Sequence, residues 1–330
     1  MKKKALITGI FGQDGSYCAE LLWEKGYEVC GIARFHLSSQ SQKIHDDLKK
    51  KGVNFKIYEC DLYNEDSVSK LLNDIKPHEL YHFATTHFSS ELPLAERTKI
   101  SSQLFIENVL SGISLIAAIA RVTPETRLVL AGSCLMYDQS KDYPQTEKTP
   151  LSSSGFYGLS KINVLEFAKL YRKQNGLHIS NAILYNHESV RRPPHFLSKK
   201  IVQHVAQMKK GSNKSIKIGS LHVKKDWGYA KDYVYGMWLM AQREKPDDYI
   251  LATGISHTIS DLIEAAFKAI DRVDWKQFIE VEPGIASSQN QVELLGDATK
   301  ARVQLGWQPK LSFDEMVAHM VNCELKENLD

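Results

Sequence analysis

Tyr157 and Lys161 stand four residues apart and, with Ser133, are the residues whose types and spacing most directly suggest chemistry. Side chains at this spacing share one face of a helix, so the Lys161 ammonium would lie beside the phenol. The pKa of a free phenol is about 10, and we expect the neighbouring cation, together with a positively charged nicotinamide, to lower it. Tyr157 would then accept a hydroxyl proton as hydride leaves for the cofactor, while Ser133 hydrogen-bonds the same oxygen.

A glycine-rich loop follows the first apolar stretch of the chain and opens a helical pattern. Glycines allow a tight turn and let a pyrophosphate approach the backbone at the positive end of a helix. A bare turn would also suit three glycines, but the order strand, loop, helix favours a dinucleotide. We predict tight binding of NAD(H) or NADP(H) through Gly9, Gly12, Gln13, Asp14 and Gly15.

The residues after the second strand bear on which dinucleotide binds, and those after the third strand on its adenine. No carboxylate follows the second strand to hold a ribose 2′-hydroxyl. Arg34 stands there and would pair with a 2′-phosphate, which favours NADP(H), unless it is merely exposed. Asp61 and Leu62 follow the third strand and suit a contact with the adenine, although a structural turn would carry the same residues.

These residues need elements that bring them to one edge of a sheet. The first half of the chain alternates short apolar stretches with amphipathic ones, which predicts an α/β fold with a doubly wound parallel sheet and helices on both faces. The predicted strands are Lys4–Thr8, Tyr27–Ala33, Asn54–Glu59, Leu80–Ala84, Arg127–Ala131 and Ser180–Leu184, and the predicted helices are Ser16–Lys25, Glu65–Ile75, Phe105–Ala120 and Phe156–Lys173.

The pattern changes after about Asn186, where charged stretches precede helices predicted at Tyr229–Arg243 and Ile259–Ile270. We expect residues 1–185 to form the dinucleotide-binding domain and residues 186–330 to form mainly a substrate-binding region, with some segments returning to the first domain. Ligands of doubly wound sheets bind outside the carboxyl ends of the strands, so this region would complete the pocket there.

Composition narrows the class of protein. A net charge of +3 without a dense basic block argues against nucleic acid as a partner. Five scattered cysteines without C-x-x-C spacing predict reduced thiols, with neither a disulfide framework nor a metal site. We see no apolar run of about 18 residues and no signal-peptide core, and therefore expect a cytoplasmic protein with no membrane span.

Several specific segments resemble a known family. They are Ala5–Ile10 with Gly12–Tyr17, Tyr185–Ser189 with Arg191 and Arg192, Lys225–Gly228 with Ala230–Val234, and Gly296 and Asp297 with Thr299–Ala301. Across nearly its whole length the chain is similar to the extended short-chain dehydrogenases that act on nucleotide sugars, most closely the GDP-mannose 4,6-dehydratase family.

This resemblance implies a GDP-sugar substrate held through its pyrophosphate, and a homodimer or homotetramer. It implies substrate contacts from Asn186, Arg192, Lys200 and Lys225, and it adds Phe11 and Ala84 to the cofactor contacts. The basic residues would also suit a surface ion-pair network, and we expect Trp227 to be a core residue.

The departures from the family matter as much as the matches. The family's active-site segment reads Ser-Thr-Ser-Glu-Leu-Tyr-Gly, in which the threonine polarises the sugar hydroxyl and the glutamate removes the C5 proton. Here Ser133 replaces the threonine and Leu135 replaces the glutamate, while the nearest acid, Asp138, lies three residues further on. The family has two arginines in the cofactor loop, and Phe35 replaces the second of them here, so NAD(H) stays open as the cofactor. Its Arg-Pro-x-Glu near the nucleoside is replaced around Ser288–Gln291, which weakens the expectation of guanosine.

Leucine cannot transfer a proton, so we predict oxidation at C4 of a GDP-linked manno-configured sugar, hexose or heptose, to a 4-keto sugar without dehydration. The hydride would then leave with the cofactor, pass to a second oxidant such as a 2-keto acid, or return to C4. A C4 epimerase or a ketosugar reductase needs the same three residues and stays open, as does a dehydratase. The non-enzyme alternative is a cofactor-binding sensor or partner subunit.

Overall fold

The computed structural model describes residues 2–33, 36–86, 94–282 and 292–327, with the backbone alone for 94–98. The strands are β1 Lys4–Thr8, β2 Glu28–Ile32, β3 Phe55–Tyr58, β4 Glu79–His82, β5 Arg127–Ala131, β6 Ile179–Leu184, β7 Asn186–Glu188, β8 Ile216–Ile218, β9 Lys224–Tyr229, β10 Asp248–Leu251, β11 Ser256–Thr258 and β12 Ile279–Val281. The helices are α1 Gln13–Glu24, α2 Ser39–Lys50, α3 Glu65–Ile75, α4 Leu94–Val122, α5 Phe156–Asn175, α6 Leu197–Lys209, α7 Ala230–Gln242, α8 Ile259–Lys268, α9 Thr299–Leu305 and α10 Phe313–Leu325. Short 3₁₀ helices cover Cys134–Tyr137 and Trp275–Phe278.

Seven strands form a parallel sheet in the order β10-β6-β5-β4-β1-β2-β3. The strands are continuous apolar runs because both faces are covered; Leu6 of β1 pairs with Leu80 on one side and Cys30 on the other, and all three are buried. This confirms the predicted α/β class. The winding direction reverses between β1 and β4, so a crevice opens at their carboxyl ends.

Helices cover the two faces of this sheet with separate cores. On one face Leu72 of α3, Ile119 of α4 and Ala168 of α5 belong to one buried cluster. On the other face α1, α2 and α7 contribute to a second cluster, which includes Leu22 and Met237. The helices therefore fix the ends of β1, β4 and β5, where the candidate site residues follow.

Two helices begin earlier in the structure than the sequence pattern predicts. The apolar periodicity predicts a first helix from Ser16, but α1 begins at Gln13, directly after Gly12. Its first turn carries a polar pair and a glycine, which hides it from a periodicity argument. The helix predicted at Phe105–Ala120 spans Leu94–Val122.

The stretch Lys99–Val122 bears on the expectation that the chain has no membrane span. It is 24 residues long and its most apolar 18-residue window has a mean hydropathy of 1.6, so by length and composition alone it could cross a bilayer. Half of the most apolar window is buried inside the protein. The helix packs between α3 and α5, as the core helix of a globular protein does.

The second half of the chain contributes to both parts of the molecule. Strand β10 pairs with β6 and extends the large sheet, and α7 packs on α1. The remaining elements form a three-stranded sheet, β11-β9-β7, and a two-stranded sheet, β12-β8, with a core between α6, α8 and α10. Trp227 is 4% exposed in that core, as predicted. The division at residues 185 and 186 stays a prediction.

Candidate active site

The glycine loop between β1 and α1 presents bare backbone at a helix N-terminus. Gly9 has a φ of +68°, a conformation that residues with a Cβ rarely adopt. A Cβ on Gly15 would lie 2.2 Å from the Gly9 carbonyl oxygen, so only glycine lets the helix approach the turn. Gly12 caps α1 without a side-chain hydrogen bond. The first N–H groups of this 12-residue helix have no partner within the helix and can donate to a phosphate. Glycines at the turn leave room for the diphosphate of a dinucleotide.

Two predicted cofactor contacts in this loop have side chains that face the protein interior. Phe11 is 5% exposed and packs edge-on against Phe55, with ring centroids 5.7 Å apart. Gln13 is buried and bonds to Ser189 and to the carbonyl of His187. Both side chains are therefore engaged within the protein.

Asp14, at the start of α1, forms a largely buried pair with His187 of β7. His187 Nδ1 lies 2.7 Å from the carbonyl oxygen of Tyr185, which can only accept, so Nδ1 carries a hydrogen. Its Nε2 lies 3.1 Å from an Asp14 carboxylate oxygen. Burial alone would raise the pKa of Asp14, but the charges of His187 and Arg192 hold it below its usual value. Burial alone would lower the pKa of His187, and Asp14 raises it. Each side chain therefore favours the charged form of the other.

The end of β4 is tied to the end of β1 beside the glycine loop. The Thr8 hydroxyl accepts the backbone N–H groups of Phe83 at 3.1 Å and Ala84 at 3.0 Å. A Cβ on Gly9 would lie 3.0 Å from the Ala84 nitrogen, so Ala84 adjoins the loop, as a cofactor contact would require. Thr85 follows and is exposed.

The residues predicted to contact the adenine and its ribose follow the third and second strands. Asp61 is exposed and its carboxylate accepts the backbone N–H of Tyr63 at 2.9 Å. This hydrogen bond is typical of a structural turn, the alternative to an adenine contact. Leu62 is partly buried against the core of α3 and α4. Arg34 lies outside the described residues, as does the segment Ser288–Gln291.

Helix α5 presents Tyr157 and Lys161 together, with the ammonium 5.5 Å from the centre of the phenol ring. Burial raises the pKa of Tyr157 to about 12, against the lowering effects of a hydrogen bond with Thr85 and the charge of Arg192. Burial also lowers the pKa of Lys161 to about 8. We predict from sequence that Lys161 and a nicotinamide lower the phenol's pKa. In the structure the net shift of the phenol's pKa is upward, because loss of hydration outweighs the groups that lower it.

Ser133 follows β5 and faces the start of α5. Its hydroxyl accepts the backbone N–H of Leu135 at 3.2 Å and caps the short 3₁₀ helix. A Cβ on Gly158 would lie 2.4 Å from the Leu135 carbonyl oxygen, so the glycine after Tyr157 lets α5 pack directly on this turn. The structure therefore brings the segment that carries Ser133 against the start of the helix that carries Tyr157 and Lys161.

Asp138, the acid nearest to Leu135, is engaged elsewhere. One of its carboxylate oxygens accepts the Ser153 hydroxyl at 2.9 Å, and the other accepts the Ser154 backbone N–H at 2.8 Å. These bonds hold the turn that precedes α5. Leu135 itself is partly buried against the core.

Two of the four predicted substrate contacts, Arg192 and Lys225, have charges that act on the catalytic segment. The charge of Arg192 lowers the pKa of Tyr157. Its guanidinium lies 3.2 Å from a Glu188 carboxylate oxygen and stacks on the ring of Phe196. The charge of Lys225 acts to lower the pKa of the Cys134 thiol, which stands beside Ser133. Asn186 lies on β7, paired in register with Trp227. Lys200, on α6, instead donates to the Lys217 carbonyl at 3.3 Å.

Sequence reasoning missed two contacts of the site. The motif containing His187 gave no sign of its pairing with Asp14, which lies 173 residues away. Thr85, which lowers the pKa of Tyr157, stands in no motif, and its only signal is its place shortly after β4.

Comparisons with known proteins agree over almost the whole chain. The family model for GDP-mannose 4,6 dehydratase matches residues 6–320. A GDP-mannose 4,6 dehydratase of Drosophila melanogaster is 35% identical, over 98% of this chain and 86% of that protein.

Solved structures share the fold at lower identity. The dTDP-glucose 4,6-dehydratase of Bacillus anthracis, in complex with NAD, superposes with a TM-score of 0.83 at 16% identity, covering 99% of this chain and 97% of that one. The UDP-glucose 4-epimerase of Thermotoga maritima, with UDP-glucose, gives a TM-score of 0.82 at 19% identity, covering 98% and 99%.

Proposed function

Because the chain belongs to the GDP-mannose 4,6-dehydratase family, we propose that it oxidises C4 of a GDP-linked manno-configured sugar, hexose or heptose, to a 4-keto sugar without removing water. The engagement of Asp138 carries the proposal. The resemblance implies that Leu135 stands where the family has its proton-removing glutamate, and the nearest acid in the sequence, Asp138, holds the turn before α5 with both carboxylate oxygens.

Three side chains perform the proton transfer in this proposal. Ser133 hydrogen-bonds the C4 hydroxyl, and Tyr157 as phenolate accepts its proton. The Lys161 ammonium, 5.5 Å from the phenol ring, stabilises the negative charge on the tyrosine.

The glycine loop, the start of α1 and Ala84 would hold the dinucleotide. When bound there, a nicotinamide dinucleotide accepts the hydride that leaves C4. The Bacillus anthracis dehydratase binds NAD, whereas Arg34 favours NADP, so the proposal covers both. A 2-keto acid is the class of second oxidant that would return the cofactor to its oxidised form.

Two basic residues near the catalytic segment suit a sugar diphosphate. Arg192 lies within electrostatic reach of Tyr157, and Lys225 within reach of Cys134 beside Ser133. Together with Asn186 they would bind the pyrophosphate. Lys200 is a weaker candidate because its ammonium already donates to Lys217.

The second candidate function is the dehydratase reaction itself, which the names of the relatives favour. A C4 epimerase or a ketosugar reductase would use the same three residues. Mass spectrometry of the sugar product, with NMR for the configuration at C4, separates these reactions. With GDP-mannose and an oxidised cofactor, with or without a 2-keto acid, we expect a product lighter by two hydrogens. A product that has lost one water would refute the argument from Leu135, and an unchanged mass with an altered C4 configuration would establish the epimerase.

We further propose a soluble, cytoplasmic homo-oligomer. The apolar stretch Lys99–Val122 is half buried, which suits a core helix. Apolar side chains remain exposed on the two longest helices, Ile106 and Leu110 on α4 and Leu159 and Leu170 on α5. Exposed apolar faces on two neighbouring helices are typical of subunit contacts.

A further inference from the structure

His82 is a buried histidine that the proposed reaction does not use. It ends β4, where it pairs in register with Thr8 at the end of β1, and it is 4% exposed. Ala84, a predicted cofactor contact, follows two residues later. Burial and the charge of Lys161 lower the pKa of His82 to about 3, so its ring is uncharged at neutral pH. One ring nitrogen then carries a hydrogen and the other is an acceptor.

The Thr8 hydroxyl determines which nitrogen is the acceptor. Its oxygen accepts the backbone N–H of Ala84 at 3.0 Å and that of Phe83 at 3.1 Å, the latter shared with the Thr8 carbonyl at 3.3 Å. The same oxygen lies 2.8 Å from Nδ1 of His82. A hydroxyl has two lone pairs and one hydrogen, so Thr8 donates its hydrogen to Nδ1. In the reverse arrangement this buried hydrogen would have no acceptor among the residues that the structure describes.

The other ring nitrogen faces α4. Because Nδ1 accepts, Nε2 carries the hydrogen and points to the Ser111 hydroxyl at 3.5 Å, which is a long contact. Ser111 donates in turn to the Asn108 carbonyl at 3.2 Å. The Asn108 amide accepts the Thr86 N–H at 2.8 Å and donates to the Thr86 carbonyl at 2.9 Å. The segment after β4 is therefore held at one end from β1 and at the other from α4, and the ring of His82 contacts both supports.

We propose that His82 is a positioning residue for the dinucleotide. By accepting the Thr8 hydrogen it keeps that hydroxyl oxygen turned toward the Ala84 N–H, and so fixes the segment after β4 against the glycine loop. The distance from the Ala84 nitrogen to a Cβ placed on Gly9 is only 3.0 Å, so a small displacement of this segment changes the space beside the loop. His82 touches neither the cofactor nor the sugar in this scheme and acts through Thr8. The inference rests on dinucleotide binding at the glycine loop and is independent of the reaction at C4.

The test compares His82→Leu, which removes the acceptor, with His82→Asn, whose amide oxygen is as many bonds from the backbone as Nδ1. Without an acceptor the Thr8 hydroxyl must turn its hydrogen elsewhere and loosens its hold on Ala84. In fluorescence titrations of the full chain with NADH and with NADPH, we expect His82→Leu to bind about tenfold more weakly, which is the effect of one hydrogen bond. His82→Asn should bind like the wild type. Ser111→Ala, which leaves the bond from Thr8 to Nδ1 in place, is the matched control and should also bind like the wild type.

A double variant shows whether His82 acts through Thr8. Thr8→Val removes the hydroxyl and should weaken dinucleotide binding at least as much as His82→Leu does. Once the hydroxyl is gone there is no hydrogen to accept, so adding His82→Leu to Thr8→Val should weaken binding no further. Equal losses in His82→Asn and His82→Leu, or losses that add in the double variant, would overturn the proposal, because the histidine would then act through packing alone.

Two further measurements need no turnover. Hydrogen–deuterium exchange in peptides that span residues 83–86 should be faster in His82→Leu than in the wild type and unchanged in His82→Asn. In protein with ¹⁵N-labelled histidine, the His82 resonances are identified by their loss in His82→Asn and should show a bare Nδ1 and a protonated Nε2. A hydrogen on Nδ1 would overturn the proposal, whatever the variants do. A dehydrated product from GDP-mannose would instead remove the proposed function and leave the role of His82 intact.

Discussion

At Tyr157 and Lys161 one cause, burial, moves two pKa values in opposite directions, to about 12 for the phenol and about 8 for the amine. A buried site disfavours whichever form of a group is charged. The phenol is therefore protonated at neutral pH before any ligand binds. Its conversion to a base must come from groups that favour the phenolate, which here are Lys161, Arg192 and Thr85.

The proposed base has a direct test. Tyr157→Phe removes only the hydroxyl, so we expect kcat for C4 oxidation to fall about 10²- to 10⁴-fold, while cofactor affinity stays within a few-fold. Stopped-flow formation of reduced nicotinamide and fluorescence titration of the cofactor measure the two quantities. Tyr171→Phe, on the same helix, is the matched control and should retain activity. Undiminished turnover by Tyr157→Phe would contradict the assignment.

Spacing within one element can be inferred from a sequence, whereas contacts between elements cannot. Tyr157 and Lys161 were recognisable because one helix fixes their relation. The hydrogen bond between Thr85 and Asn108 joins residues 23 positions apart, and the pair of Asp14 and His187 joins residues 173 apart. Neither follows from local pattern, because each depends on where two elements meet.

Among the elements, the predicted strands match best, because continuous apolar runs bounded by turns are strong signals. Helix α2 has no counterpart among the predictions. Its sequence is strongly polar, and it buries only Ile44 and Leu48. Two apolar residues four positions apart are too few to show a helical period. The start of α1 was missed for the same reason, since Gln13 and Asp14 form its first turn without an apolar stripe.

The contact between α1 and β7 gives a prediction about stability and pH. The pKa of His187 is raised above 6.5 by Asp14, so the imidazolium stabilises the fold fully below about pH 6.5, and this contribution is lost as pH rises through the raised pKa. The pKa of Asp14 is lowered from 3.8, so its contribution is lost only in acid. Both contributions are present between these values.

We expect His187→Gln to lower the free energy of unfolding by about 1–3 kcal/mol near pH 6 and by clearly less at pH 9. Urea denaturation of both proteins at the two pH values gives the difference. His45→Gln is the control, because the His45–Asp46 pair is more exposed and screened by solvent. A loss of equal size at both pH values would show that His187 acts through packing alone.

For the whole molecule, the exposed apolar residues of α4 and α5 predict how subunits associate. Ile106 is 47% exposed and Leu110 is 40% exposed, one helical turn apart. A charge in this patch would be buried without a partner in a subunit contact. We expect Leu110→Arg to convert the oligomer to a monomer, with light scattering after gel filtration as the measurement. Val303→Arg, at an isolated position that is 79% exposed, should leave the oligomer intact, and an unchanged Leu110→Arg would place the interface elsewhere.

Strand β10 has a consequence for how the chain is made. When a ribosome has released residue 185, six strands of the large sheet exist, but β6 still lacks its neighbour, because β10 ends at Leu251. Until then the backbone N–H and C=O groups along β6 form an open edge, the kind of template that captures other chains. The part of the protein that resembles an independent domain therefore spends its synthesis incomplete and vulnerable to aggregation, and chaperones that shield strand edges would act on it at this stage.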